Sequence, residues 1–196
     1  MERAESRSDR LFTLLAGHAG PWIVEHQRTV VGQPLAAATR LTVVAGAVSQ
    51  LPVGASWLLR GIRSNERYVE GTEQKELVQK QEGLGRLAST HAALLPIKKT
   101  AAWWALPQDE RRRIFETRSQ HIGIGLRYLP GIARRLLHCR DLGPDEPFDF
   151  LTWFEFAPAD APAFDELLRV LRATPEWEHV EREIDIRLVR DDSGRS

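Results

Sequence analysis

The alternation of apolar and polar residues is clearest in the second half of the chain, where it predicts a regular order of strands and helices. The predicted elements are a strand over 92–100, a helix from Pro107, strands over 132–141 and 148–156, a helix over 157–172 and a strand over 180–189. A turn rich in Gly, Pro and Asp separates the two middle strands. The order β-α-β-β-α-β is that of a ferredoxin-like unit.

The first predicted helix of this half carries a histidine near its inward face. Residues that recur at spacings of three and four lie on one face of a helix. Here they are Ile114, Phe115, Arg118, His121 and Ile122. Gly123 and Gly125 follow directly, and we expect them to end the helix or to let the backbone approach another group closely.

The first half of the chain has a weaker pattern, with strands predicted near 11–16, 21–31, 40–45 and 55–63 and one polar helix near 70–82. We interpret it as a shortened counterpart of the second half. The sequence therefore predicts an α+β protein of two ferredoxin-like halves, over 1–90 and 91–196, with a truncated N-terminal half.

Composition and charge narrow the classes of function. The 196 residues contain 27 Lys plus Arg and 27 Asp plus Glu, so no net field attracts nucleic acid or an anionic membrane. Cys139 is the only cysteine, which excludes an internal disulfide and favours a reducing cytoplasm. The apolar run near the N-terminus is short and broken by Gly17 and His18, which argues against a signal peptide or a membrane span.

His121 alone is a weak signal, because a single histidine on an apolar helix face is more often a core residue than a ligand. The sequence has no HExxH motif, no paired cysteines and no second histidine at helical spacing. If His121 binds a metal, a site with one protein ligand suits haem iron, since the macrocycle supplies four donors.

Other residues offer what a haem requires, although each also has a plainer interpretation. Candidate contacts are Lys98, Lys99, Trp103, Trp104, Asn65, Tyr68 and Glu176. Taken singly, the tryptophans read as core and the charged residues as surface. The triplet at 111–113 reads as a solvated helix face, and His138 and Cys139 point to opposite faces of a strand, so we expect both to be spectators.

The combination is more specific than its parts. Lys99 is followed four and five residues later by Trp103 and Trp104, then by His121 and, thirteen residues on, by Arg134. In this combination the sequence resembles the chlorite dismutase family of haem b enzymes.

The resemblance runs over about 54–190 and is densest over 94–156. It implies a dimeric α+β barrel-type fold of two ferredoxin-like domains, with one haem b (heme b) per chain in the C-terminal domain. It implies that His121 is the axial ligand of the iron, that Glu176 accepts a hydrogen bond from it, and that Arg134 is the catalytic arginine on the distal side. It further implies contacts to haem or its propionates from Lys99, Trp103, Trp104, Tyr68 and Asn65, and a distal glutamine at Gln81.

The activity implied is the conversion of chlorite to chloride and dioxygen, with Arg134 holding the anions over the iron. The truncated first half resembles the short members of the family, which implies a homodimer. Two alternatives stay open: a peroxide-dependent coproheme decarboxylase, against which Arg134 argues, and a haem-binding sensor without turnover. A dye-type peroxidase is disfavoured because its Gly-x-x-Asp-Gly motif is absent from the sequence.

Overall fold

The computed structural model describes residues 10–48, 50–63 and 83–193. Its strands are β1 (Leu11–Gly17), β2 (Trp22–Val31), β3 (Arg40–Ala45), β4 (Ala55–Ile62), β5 (His91–Lys99), β6 (Ala133–His138), β7 (Phe150–Phe156) and β8 (Val180–Arg190). The predicted strands therefore match the observed ones closely. The helix predicted near 70–82 and the candidates Asn65, Tyr68 and Gln81 lie outside the described residues.

These strands close into an antiparallel barrel in the order β1-β3-β2-β8-β5-β7-β6-β4. Within the first four strands the order is fourth, first, third, second, and the second four strands repeat it. The two sets join where β2 pairs with β8 and where β4 pairs with β6. The shared order confirms the predicted α+β fold of two ferredoxin-like halves, while the division near residue 90 stays a prediction.

The join between β4 and β6 is narrow, with one paired position, Ile62 opposite His138. A β-carbon added at Gly61 would lie 2.7 Å from the β-carbon of Leu137, closer than two such atoms can approach. Glycine at 61 therefore allows the two strands to meet.

The barrel separates two apolar clusters. The interior is filled by side chains from every strand, including Leu14, Trp22, Leu41, Trp57, Leu137 and Ile186. The second cluster lies on the outer face of β5 and β7 against one long helix, and includes Leu95, Phe154, Phe156, Phe164 and Leu168. Alternating strand residues supply the two clusters, as the period of two predicts.

The helices lie mainly between strands of the second half. They are α1 (Ala101–Ala105), α2 (Gln108–Arg112), α3 (His121–Leu126) and α4 (Ala161–Arg172), with a π-helical turn over Arg113–Arg118 and 3₁₀ turns over Pro158–Asp160 and Pro175–His179. The residues that line the inner side of α4 are Phe164, Leu167, Leu168 and Leu171. Within residues 10–48, 50–63 and 83–193, no helix is long and apolar enough to cross a membrane.

Candidate active site

A cavity lies between the outer face of β5, β7 and β6 and the helical segments that cover it. The sheet wall is mostly apolar and includes Leu95, Ile97, Leu136, Phe150 and Phe154, with Thr152 among them. The helical wall includes Trp103, Phe115, His121, Leu168, Leu171 and Trp177. Lys99, Glu176, Arg134 and His138 add charged or ionisable groups. The structure thus brings together Lys99, Trp103, His121, Arg134 and Glu176 from distant parts of the sequence.

His121 is the first residue of α3, directly after an interruption of the helical backbone. Gln120 adopts a left-handed backbone conformation with φ of 51°, which ends the preceding helical turn. The carboxylate of Glu116 then accepts hydrogen bonds from the backbone N–H groups of Ile122, at 2.8 Å, and Gly123, at 3.4 Å. These bonds satisfy amides that the helix itself leaves unpaired and so fix where α3 begins.

This break corrects two sequence expectations. One continuous helix from Pro107 through His121 is replaced by α2, the π-helical turn and α3. Gly123 and Gly125 lie inside α3, which ends at Leu126, so the first of the two expectations for them is wrong, and a close approach of the backbone to another group stays a prediction. The reason is the side chain of Glu116, which provides an N-terminal cap in the middle of the predicted helix.

The imidazole of His121 is bonded to a buried carboxylate. Its Nδ1 lies 2.6 Å from Oε2 of Glu176, and the other oxygen, Oε1, accepts a hydrogen bond of 2.7 Å from Nζ of Lys99. The backbone N–H of Glu176 donates to Oγ of Ser119, at 3.0 Å, two residues before His121. The chain Lys99–Glu176–His121 therefore connects a strand, a 3₁₀ turn and a helix within one polar network.

The charges in this network settle the direction of the hydrogen bond to His121. Burial would raise the pKa of Glu176, but the charges of His121 and Lys99 and their hydrogen bonds outweigh it and lower the pKa to about 2. An ionised carboxylate only accepts hydrogen bonds, so Nδ1 of His121 carries the proton. Metal binding would then use the other ring nitrogen, Nε2, which does not face Glu176.

Two aromatic rings lie nearly parallel to the ring of His121. Phe115 stacks on it at 4.3 Å between centroids, and Trp177 lies parallel at 6.5 Å. The indole of Trp177 is itself fixed, because its Nε1 donates to Glu183 at 2.8 Å. Stacking and the bond to Glu176 together set the orientation of the imidazole.

The structure distinguishes the two adjacent lysines. Lys99 is buried, with its ammonium 4.8 Å from the ring centroid of Trp103 and 5.5 Å from that of Trp177. Lys98 points to the opposite side of β5 and pairs with Glu181, where both side chains are about half exposed. A buried ammonium needs a carboxylate partner and benefits from aromatic faces, and Lys99 has both.

The two adjacent tryptophans also differ. Thr100 caps α1 by accepting a hydrogen bond from the backbone N–H of Trp103, whose indole is buried in the cavity wall. Nε1 of Trp104 donates to Asp149 at 3.0 Å, and the same carboxylate oxygen accepts from the backbone N–H of Lys99 at 2.7 Å. Asp149, which we did not single out from the sequence, thus fixes both residues.

Two guanidinium groups lie against the ring of Trp104. The guanidinium carbons of Arg140 and Arg111 lie 4.1 and 5.4 Å from the centroid of its ring. Arg111 is therefore more than part of a solvated helix face, as the triplet at 111–113 was interpreted. Cations over an indole are attracted by the negative face of the ring system.

Strand β6 presents alternate residues to the cavity. Arg134 and His138 face it, whereas Arg135 turns the other way and places its guanidinium 4.5 Å from the ring of Phe12. His138 shares the face of Arg134 at a separation of four residues and lines the cavity, while its expected role as a spectator stays a prediction. Cys139 faces away and is buried, and burial, with nearby acidic residues, raises the pKa of its thiol, so it is not a reactive group.

The family model for chlorite dismutase matches residues 35–190. A chlorite dismutase of Ideonella dechloratans is 35% identical over 89 residues, which are 45% of this chain and 28% of that relative. The chain therefore matches little more than a quarter of the length of this relative.

Solved structures match nearly the whole chain. The dimeric chlorite dismutase of Nitrobacter winogradskyi has 50% identity and a TM-score of 0.84, covering 92% of this chain and 99% of that one. A mutant chlorite dismutase of Candidatus Nitrospira defluvii in complex with cyanide has 20% identity and a TM-score of 0.68, covering 95% and 92%. At that lower identity the likeness shows the fold alone.

Proposed function

Because the chain belongs to the chlorite dismutase family, we propose that it is a haem b-dependent enzyme that converts chlorite into chloride and dioxygen. The observation that carries the proposal is that His121, bonded through Nδ1 to Glu176, lines the same cavity as Arg134. One wall thus offers a ligand for iron, and the other offers a cation for an anionic substrate.

The lining residues suit a haem. Apolar side chains such as Leu95, Leu136 and Phe154 on the sheet and Leu171 on the helix form walls for a flat apolar macrocycle. His121 supplies the single protein ligand that haem iron requires, through Nε2. Lys99 and Glu176 support this ligand from behind, and Trp103 completes the wall beside them.

The protein residues have defined tasks in the proposed reaction. Bound haem iron supplies the site at which a chlorine–oxygen bond of chlorite is broken and the two oxygen atoms are joined. Arg134 binds the chlorite anion and keeps its chlorine-bearing fragment in the cavity, because a guanidinium attracts anions and keeps its proton. Glu176 holds the proton at Nδ1 of His121, which makes the imidazole a stronger donor to iron.

The stoichiometry suits this set of residues. One chlorite yields one chloride and one dioxygen, so the overall reaction consumes no proton and no external electron. A residue that holds the substrate without transferring a proton is therefore sufficient, and Arg134 is such a residue. The apolar walls exclude water, which would otherwise compete for the fragment.

The proposal includes one haem b per chain, a homodimer and a cytoplasmic location. A relative that is 50% identical over most of the chain is described as dimeric, which supports the homodimer. Asn65 and Tyr68 as propionate contacts and Gln81 as a distal residue belong to the same proposal.

The test is dioxygen evolution from haem-saturated protein. An oxygen electrode should record one dioxygen per chlorite, with an equal amount of chloride measured by ion chromatography. A flat trace with chlorite, together with decarboxylation of coproheme in the presence of peroxide, would assign the chain to the decarboxylase alternative. Haem uptake without either activity would assign it to the sensor alternative.

A further inference from the structure

Thr152 brings a hydroxyl group to the centre of the sheet wall of the cavity. It lies on β7, with Leu95 of β5 directly opposite on one side and Leu136 of β6 directly opposite on the other. Along β7 itself, the nearest residues on the same face are Phe150 and Phe154. All five residues line the cavity, so Thr152 is surrounded within the wall by apolar side chains.

Packing alone does not account for a hydroxyl at this position. Thr152 is 9% exposed, and within residues 10–48, 50–63 and 83–193 its hydroxyl makes no hydrogen bond. A polar group inside an apolar wall costs free energy unless it is hydrogen-bonded, and valine would fill the same space without that cost. Because polar groups in such surroundings are nearly always hydrogen-bonded, we expect the partner of this hydroxyl to be a ligand of the cavity.

The register of the sheet places Thr152 close to the arginine that would bind the substrate. Arg134 is opposite Phe154, and Leu136, two residues further along β6, is opposite Thr152. Arg134 and Thr152 are therefore diagonal neighbours on one face of an antiparallel pair, an arrangement that separates α-carbons by about 7–8 Å and is within reach of a long side chain. A small anion at this place can contact the guanidinium and the hydroxyl together.

A second contact changes what the site can do with an anion. Chlorite has two oxygen atoms and one negative charge, so a single charged group attracts the ion without fixing its rotation. Thr152 is β-branched and lies within a strand, so its side chain has few rotamers and its hydroxyl has a defined position. Two donors on one rigid wall, across the cavity from His121, can therefore orient the ion as well as hold it.

Resting on the proposed function, we propose that Thr152 is a substrate-binding residue whose hydroxyl donates a hydrogen bond to the oxyanion held by Arg134. A hydrogen bond to an ionised acceptor is stronger than one between neutral groups, and the apolar surroundings strengthen it further. The hydroxyl keeps its proton, which agrees with an overall reaction that consumes none. Thr152 thus favours a small oxyanion over a ligand that accepts no hydrogen bond.

The experiment measures ligand binding to haem-loaded protein rather than turnover. Nitrite, a bent oxyanion with two oxygen atoms and one negative charge, is titrated into the ferric protein and followed at the Soret band. Thr152→Val should weaken nitrite binding by about tenfold to a hundredfold, the effect of one hydrogen bond to a charged group. Thr152→Ser keeps a hydroxyl and should remain within about threefold of wild type.

A neutral ligand separates this bond from a change at the iron. Carbon monoxide binds ferrous haem without bringing a charge, and its affinity should agree within about threefold between wild type, Thr152→Val and Thr152→Ser. Thr152→Ala removes the hydroxyl with a different change of shape and should weaken nitrite binding as Thr152→Val does. It also decides the question if Thr152→Val does not fold.

A matched control is Thr29→Val, the same substitution at an exposed threonine of β2, opposite Ile184 of β8. It should leave the affinity for nitrite unchanged. Soret titration of each apoprotein should give the same affinity for haem in wild type, Thr152→Val and Thr29→Val, because valine preserves the β-branched shape of threonine.

Three results would overturn the inference. The first is unchanged nitrite binding in the variants that lack the hydroxyl, and the second is an equal loss in Thr152→Val and Thr152→Ser. The third is an equal loss for nitrite and carbon monoxide, which would show that the substitution alters the iron site. Failure of the proposed function is a different outcome, in which wild type itself would bind no haem or would release no dioxygen from chlorite.

Discussion

Nζ of Lys99 lies 2.7 Å from Oε1 of Glu176, and both side chains are almost completely buried. Glu176 uses its other oxygen for His121, so one carboxylate is shared between a fixed cation and the imidazole. The lysine balances the negative charge, and the carboxylate can therefore stay ionised inside an apolar wall.

Replacing Lys99 by Met should destabilise the protein by about 3–5 kcal/mol, because Glu176 would lose its cation while remaining buried. Urea denaturation of the apoprotein measures this change. The matched control is Lys98→Met, which removes the neighbouring, half-exposed pair with Glu181 and should cost no more than about 1 kcal/mol. Similar losses in the two variants would mean that Lys99 is not part of a buried network.

Replacing Glu176 by Gln should weaken haem binding by about ten- to a hundredfold, since the partner that orients the axial imidazole would be lost. The midpoint potential of the bound iron should rise, because a weaker imidazole donor stabilises the ferric state less. Soret titration and spectroelectrochemistry measure the two effects. Glu178→Gln changes an exposed acid in the same 3₁₀ turn and should alter neither; a fall in the potential of Glu176→Gln would contradict the assignment.

Arg134→Ala and His121→Ala should separate substrate handling from cofactor binding. Arg134→Ala should keep haem and lose about a hundredfold or more in turnover, because the guanidinium that binds the chlorite anion is removed. His121→Ala should release haem readily. The control for Arg134→Ala is Arg135→Ala, which changes a residue on the same strand that faces the barrel interior. Equal loss of haem from Arg134→Ala and His121→Ala would contradict the separate roles of substrate binding and iron ligation.

A second buried charge network predicts how stability depends on pH. Burial would raise the pKa of Asp185, but Arg187 and Arg172, the latter with Nη2 2.9 Å from Oδ2, lower it below the ordinary value of 3.8. A carboxyl whose pKa is lower in the folded state stabilises the fold above its unfolded pKa, and this contribution disappears as pH falls through the folded pKa.

Asp185→Asn should therefore destabilise the protein by about 3 kcal/mol at pH 7, because both guanidiniums lose a buried partner. The difference from wild type should shrink below pH 3.8, as the wild-type carboxyl takes up its proton. Denaturation midpoints across this pH range measure it. A difference that stays constant with pH would show that the charge of Asp185 is not responsible.

The sequence predicted the strands well for two reasons: strands such as β2 alternate between exposed and less exposed positions, whereas β5 and β7 are buried on both faces and form short apolar runs. The helix through His121 was predicted poorly, since its break depends on Gln120 and on a side-chain cap from Glu116. Such a cap looks like an ordinary polar residue on a helix face. The position of His138 in the cavity wall could have been predicted, because it lies four residues from Arg134 on the same strand and therefore on the same face.

The network around His121 shows the limit of local patterns. Glu176 lies 55 residues from His121 and 77 from Lys99 along the chain, so no spacing rule connects them. The resemblance to a family supplied His121, Glu176 and Lys99 as candidates, and the fold brought them into contact. Asp149 had neither a motif nor a periodic signal, and its role became visible only through its contacts with Trp104 and Lys99.

In the proposed reaction, one cavity joins His121-bound haem to Arg134 and keeps both oxygen atoms of chlorite away from water. The most direct test is mass spectrometry of the gas released when haem-loaded protein receives chlorite labelled with ¹⁸O in unlabelled water. We expect dioxygen in which both atoms carry the label. Release of dioxygen containing an atom from water, or no release of dioxygen, would contradict it.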